Sequence, residues 1–372
     1  VVWDISPGAM GNMNAYPDHP DYLYAIESGG DRGTGHALNP ITGAPYAPEP
    51  VLRGDFTRVL AEFWADGPDS ETPPGHWFSL LNEVSEHPAF AFHWMGGEII
   101  PADLWWARTY LALGGAMHDA AIAAWGAKGA FDFVRPISAI RHMLGLGQSS
   151  DPAAPNYHPN GMPLVPGVVE LIGPDDPLAA ANPSLVGALK TRMWLGEDPA
   201  NGAMSNFGWT AGCNWWPYQR PSFVTPPFAG YVSGHSTFSR AAADILTRAT
   251  GSPYFPGGLG EFEIPAESFL AFEAGPSEAF TLQWATYKDA ADQCALSRIW
   301  GGIHPPMDDI RGRQMGLVVA EGAWDQMQAA MLPTVPPVSE EFCDEDIDEN
   351  GTINTGDLLL LLSKFGESCE TP

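Results

Sequence analysis

Basic residues are scarce in this chain: 17 lysines and arginines stand against 45 aspartates and glutamates in 372 residues, a formal net charge of −28. Such a surface repels nucleic acid, whose affinity is built from many Lys/Arg–phosphate contacts, and it repels anionic membranes. Long apolar runs are also missing. No stretch approaches the ~20 apolar residues that span a bilayer; the longest candidate, Leu104 to Phe131, is broken by Arg108, His118, Asp119 and Lys128. The chain opens on Val1 with no charged and apolar leader, so any signal peptide is expected to be absent already. No G-x-G-x-x-G or phosphate-loop pattern occurs, which leaves nucleotide cofactors without support.

Cysteine is nearly absent, with Cys213, Cys294, Cys343 and Cys369 alone. The last two bracket the C-terminal segment and would close it as a loop, while Cys213 and Cys294 are either a second bridge or two buried thiols. An even count with one pair around a small module favours an oxidising compartment, hence a secreted, periplasmic or cell-surface location. The acidity suits a salty medium, where screening over roughly 8 Å or less blunts self-repulsion, and equally an ordinary acidic secreted protein.

What is present is helical. An apolar content of 45% supports one large core or two smaller ones. Residues 1–50 read as extended coil lying on a core. Helical periodicity begins at Asp55–Trp64 and continues over 77–85, 101–126, 134–145, 167–173, 186–194, 235–250, 266–273, 277–301 and 306–331. No β-alternation longer than a hairpin is evident. Ala-rich stretches joined by Pro/Gly loops imply an all-α bundle over residues 1–332. The Pro-rich residues 333–340 form a stiff linker, with a separate module at 341–372.

That module carries oxygen side chains at regular intervals. Asp346, Asp348, Asn350, Asn354 and Asp357 occupy positions 1, 3, 5, 9 and 12 of a loop, with Gly351 at position 6 and the Thr352 carbonyl at 7. This is the ligand layout of a calcium loop, with Asp in place of the usual bidentate Glu at position 12. The loop and the following Leu-rich helix, 358–366, resemble a dockerin; dockerins carry two such loops and this chain shows one. A surface-anchoring tail, or a cohesin-like partner, is what the resemblance implies.

Three distant segments hold the groups needed to grip a tetrahedral oxyanion. Lys128 and Arg135 stand seven residues apart, with Gly129 and Pro136 predicting a bend or restart between them. Ser233-Gly234-His235 precedes a helical run, so it falls at a helix N-terminus, where free amides and the dipole favour an anion. Gly234 allows close backbone approach, and His235 can shuttle a proton near neutral pH. In the third segment, Arg298 is followed by Gly302, His304 and Asp308; Pro305 suits a first helical turn, placing Asp308 to hold the second ring nitrogen of His304. His118, in an apolar helix beside Asp119, reads as a satisfied core histidine.

In order and separation these segments resemble the three-part signature of the vanadium-dependent haloperoxidase and type-2 phosphatidic acid phosphatase superfamily, across roughly residues 50–331; Val232 stands where the signature has proline. The stretch Pro227–Phe238 is more similar to the soluble haloperoxidases than to the membrane phosphatases. The resemblance implies a double four-helix bundle with vanadate bound by Lys128, Arg135, Ser233, Gly234 and Arg298. It makes His304 the vanadium ligand, Asp308 its orienting partner, His235 the acid/base, and Lys128 the group that polarises peroxide. Hydrogen peroxide would then oxidise a halide to hypohalous acid, which halogenates an organic acceptor. Phe228 is implied at the halide pocket, with Trp77, Trp215 and Trp216 as further wall candidates and His76 and Glu71 nearby. The alternative is an acid phosphatase in which His304 attacks phosphorus and His235 protonates the leaving alcohol.

Overall fold

The computed structural model describes residues 8–15, 37–67, 70–196, 207–218 and 225–331, together with Thr352, Asp357 and Leu360. It divides into two compact units, Val1–Met327 and Gln328–Pro372. The linker and most of the calcium-loop residues, namely Asp346, Asp348, Asn350 and Asn354, lie outside the described residues, as do Cys343 and Cys369.

The first unit is a helical bundle. Its long helices are α1 (Arg53–Phe63), α2 (Pro73–Glu86), α3 (Ala102–Phe131), α4 (Pro136–Leu146), α6 (Gly234–Thr250), α7 (Tyr287–Trp300) and α8 (Pro306–Met331), with a short α5 (Pro177–Ala181). α6 is its axis. It packs on α2, α3 and α7, and twelve of its seventeen residues are buried. Its ends are chemically specified: Ser233 Oγ accepts from the Ser236 amide at the N-cap, and Gly251 closes the helix in the left-handed region at φ 72°. α7 starts with a reciprocal Thr286–Asp289 capping box.

Two close approaches decide where the site forms. On α3, Ala112, Ala116, Ala120 and Ala124 repeat every fourth residue and are buried. Small side chains let α3 lie near α6, and the next member of that stripe is Lys128. The fold thus carries a lysine inward at the end of a methyl ridge. On α8, a Cβ added at Gly316 would stand 2.4 Å from the Thr237 carbonyl oxygen, so glycine lets the α8 and α6 backbones touch.

The all-α expectation is corrected by three small antiparallel sheets. β1 (Met10–Asn12) pairs with β2 (Pro50–Leu52), β3 (Val169–Leu171), β4 (Leu189–Trp194) and β5 (Phe207–Ala211) form a meander, and β6 (Gly260–Ile264) pairs with β7 (Phe280–Trp284). The expected helices at 167–173 and 186–194 are therefore strands. Leu189 and Thr191 turn inward on β4 while Lys190 and Arg192, on its other face, lie over the Trp209 ring on β5, an across-strand pairing that outweighs helix propensity. The expected helix at 266–273 is a series of turns and bends with Glu267 at φ 57°. The 277–301 segment splits: Phe280, Leu282 and Trp284 bury alternately as a strand before α7 begins.

Candidate active site

Lys128, Arg135, Ser233, Arg298, His304 and Asp308 are each at most 7% exposed. They arrive from the end of α3, the start of α4, the start of α6, the last turn of α7 and the loop and first turn of α8. The chain restarts between Lys128 and Arg135 as expected: α3 ends at Phe131, Asp132 takes the left-handed conformation, and Arg135 is the N-cap of α4. Gly302, at φ 78°, turns the chain out of α7, and a Cβ there would meet Pro217 at 2.7 Å. The Ser233 amide donates to the Asp308 carbonyl at 3.0 Å, tying the start of α6 to the start of α8.

The histidine tautomer follows from its neighbours. His304 Nδ1 lies 2.7 Å from Asp308 Oδ2, and Nε2 lies 2.9 Å from Nη1 of Arg135. A guanidinium can only donate, so Nε2 accepts and the ring proton sits on Nδ1, facing the carboxylate. Burial, then the charges of Arg135, Lys128, His235 and Arg298, hold the His304 pKa well below its ordinary value. The result is a neutral imidazole with its lone pair turned toward cations.

Lys128 donates to the carbonyls of Ala229 (2.9 Å) and Gly230 (2.8 Å), and Arg135 donates to Phe228 O (2.8 Å) and Ile303 O (3.1 Å). Arg298 donates to Ser297 Oγ (2.9 Å) and Ala61 O (2.6 Å). These neutral acceptors satisfy the donors without cancelling the charge. Burial and the neighbouring Arg135 accordingly bring Lys128 down to about 7, partly opposed by Asp308. Burial brings Arg135 and Arg298 to about 10. Asp308 is pushed up to about 6 by burial, against the pull of Lys128 and Arg135.

His235 sits one position into α6. Its ring bonds to the Trp64 backbone, its pKa is depressed by burial and then by Arg298 and His76, and its Nε2 is buried with no partner. The N–H groups at the start of α6 precede the first intrahelical bond and add partial positive charge. Three buried cations against one carboxylate make a positive hole in a chain of net charge −28. Isolated charges of this kind cost on the order of several kcal/mol each to bury, and a bound anion would offset that cost.

Residues 108–161 and 180–332, more than half of the chain, match the family model of the VCPO second helical-bundle domain. The chain belongs to this family. The VCPO-type bundle is also similar to solved bacterial vanadium-dependent chloroperoxidases. The apo-type structure matches at TM-score 0.50 and 20% identity, over 74% of this chain and 45% of that one; the holo-type matches at 0.49 and 20%, over 74% and 44%. A bacterial vanadium-dependent iodoperoxidase matches at 0.39 and 20% identity, over 71% and 43%. The chain thus spans less than half the length of these proteins, and the likeness is one of fold. No curated protein matches the sequence.

Not every sequence candidate joins the site. Phe228 does: its ring is 43% exposed and lies 5.4 Å from Lys128 Nζ and 5.2 Å from Arg135 Cζ. Trp77 is a core residue whose Nε1 donates to Ser239 Oγ, Trp215 donates to the Arg192 carbonyl, and Trp216 packs on the Arg141 guanidinium. His118 is corrected: its side chain is 72% exposed beside Asp119, because it lies off the buried alanine stripe of α3. Cys213 is exposed and Cys294 buried, both free thiols, so the second bridge does not form. Trp125 was missed. Its ring lies 5.6 Å from Phe228 and 5.7 Å from Lys128 Nζ, and its position three residues before Lys128 was the available signal. Of the calcium-loop residues, Asp357 is buried and Thr352 exposed.

Proposed function

We propose that this chain is a vanadate-dependent haloperoxidase, oxidising halide with hydrogen peroxide to hypohalous acid. The observation that carries the reading is the His304 lone pair, fixed by Asp308 and set among Lys128, Arg135 and Arg298. A neutral, oriented imidazole suits metal ligation, and the three cations with the Ser233 hydroxyl and Gly234 amide suit the oxyanion's oxygens. The donor set therefore fits vanadate. When bound, vanadate supplies a Lewis-acid centre that activates peroxide without changing oxidation state.

The residues perform the remaining work. His235 is neutral and its free Nε2 accepts the proton of incoming peroxide, then returns it to the departing oxygen. Lys128 is the cation with the adjustable proton, and in its charged form it draws electron density from the oxygen that the halide attacks. Asp308 holds the Nδ1 proton throughout. Phe228 and Trp125 form an apolar wall beside Lys128 that strips water from the approaching halide. The division of the helices into two four-helix bundles belongs to the same proposal.

The test is vanadate loading followed by a bromide, chloride and iodide oxidation assay. Halide oxidation that depends on both vanadate and peroxide is expected. Undetectable oxidation beside brisk phosphate-ester hydrolysis would establish the phosphatase chemistry instead. For the tail, calcium binding by Asp346, Asp348, Asn350, Thr352, Asn354 and Asp357 and a surface-anchoring role in a secreted protein remain part of this proposal; calorimetric calcium titration of the full chain checks the first.

A further inference from the structure

Between α1, α2 and residues 262–272 lies a cavity of about 340 Å³, the size range of small organic ligands. Its apolar lining comes from Phe63 on α1 and Phe262, Phe269 and Phe272. The Phe63 ring stands 4.8 Å from Phe262 and 6.4 Å from Phe269, so the faces available to a ligand are already arranged. Among the described residues its ionisable lining is the carboxyls of Glu62, Glu71 and Glu83 and the His76 imidazole, with no lysine or arginine. Glu62 is engaged, accepting from Tyr218 Oη (2.7 Å) and the Ala271 amide (2.7 Å). Glu71 accepts from Ser79 Oγ at 3.3 Å. Burial, then repulsion from Glu71 and Glu86, raises the Glu83 pKa, the mark of a carboxylate short of a counter-ion.

His76 lines this cavity and lies within electrostatic reach of Arg298 and His235. It is 6% exposed, its Nδ1 lies 3.6 Å from Glu71 Oε2, and its ring contacts Phe63 and Trp64. Its Nε2 is buried without a partner.

We infer that this cavity is a binding site for an organic cation, an ammonium group carried on an aromatic or branched apolar body. The phenyl faces take the body and favour a nearby ammonium through their quadrupoles. Glu71 and Glu83 take the charge. An anionic aromatic of the same shape meets three carboxyls and no lysine or arginine among the described residues, and is rejected. Binding stands on the cavity alone; that the bound amine is the acceptor halogenated by oxidant made next to His235 rests on the proposed haloperoxidase chemistry.

The test is calorimetric titration of the full chain, without vanadate, peroxide or halide. The probes are 2-phenylethylamine, 2-phenylethanol and phenylacetate. Saturable one-site binding of the amine is expected, roughly 10-fold tighter than the alcohol because a charge-assisted contact is gained, with phenylacetate weakest. Glu71→Gln with Glu83→Gln should bring amine and alcohol to parity, and Phe269→Ala should weaken both. Equal binding of amine and phenylacetate, or no saturable heat with the amine, overturns the inference. The three-probe comparison on the wild-type chain decides the matter even if the variants fail to fold. Because no oxidant is present, failure here leaves the haloperoxidase reading standing, and failure of halide oxidation leaves this site standing.

Discussion

His76 stands within electrostatic reach of two groups of side chains of opposite charge. In one, Lys128 and Arg135 act on the buried carboxyl of Asp308, and all three arginine and lysine charges, Arg298 included, act on His304; in the other, Glu62, Glu71 and Glu83 line a phenyl-walled cavity with no lysine or arginine among the described residues. A chain of net charge −28 makes the second kind of surface by default. The first needs a fold: a methyl ridge that delivers Lys128, a helix start at Arg135, and a glycine turn ahead of His304. The lesson is that the sign of a site is local, because field lines in a buried hole are set by the nearest few groups rather than by net charge.

The sharpest way to break the comparison is to remove the imidazole assigned as the vanadate ligand. His304→Ala should abolish vanadate retention and with it halide oxidation, read by equilibrium dialysis and the bromide assay. Unchanged retention would remove His304 from its assigned place. His235→Ala comes next. It should hold vanadate within a few-fold yet lower turnover by roughly 10²–10⁴, the scale of a lost general base.

Asp308→Asn should cost about 10–100-fold in vanadate affinity, the usual effect of losing the partner that orients a ligating imidazole. The smallest effect is a pH dependence. Molybdate keeps a constant charge near neutrality and serves as the probe. Lys128 titrates at about 7, so its charge is complete below that pH and lost above it. Molybdate affinity should therefore fall as pH rises through 7, by at most about 10-fold per pH unit for one proton. Arg135 and Arg298, at about 10, keep their charge over this range. Lys128→Gln should flatten the profile; an unchanged slope in that variant would assign the titration elsewhere.

Much of the positive site was legible because its chemistry is clustered in short segments. Ser233-Gly234-His235 capping a helix, and His304 one turn before Asp308, are local relations that periodicity alone reveals. The helices α3, α6 and α8 were legible for the same reason. Strands β3, β4 and β7 were not, since their Leu, Glu, Lys, Arg, Met and Gln residues are good helix formers and cross-strand partners such as Trp209 decide the outcome. His118 was misplaced because an alanine-rich helix looks apolar all round, and only packing tells its two faces apart. The acidic cavity was invisible: α1, α2 and residues 262–272 meet only in three dimensions. His76 and Glu71 could be named from the sequence, but their place in the lining of this cavity could not.

The most direct test is an anomalous-difference map from a vanadate-soaked crystal. The account predicts a single vanadium peak bonded to Nε2 of His304, with Lys128, Arg135 and Arg298 around its oxygens. A peak elsewhere on the molecule, or vanadium bound with His304 turned away from it, would contradict the account.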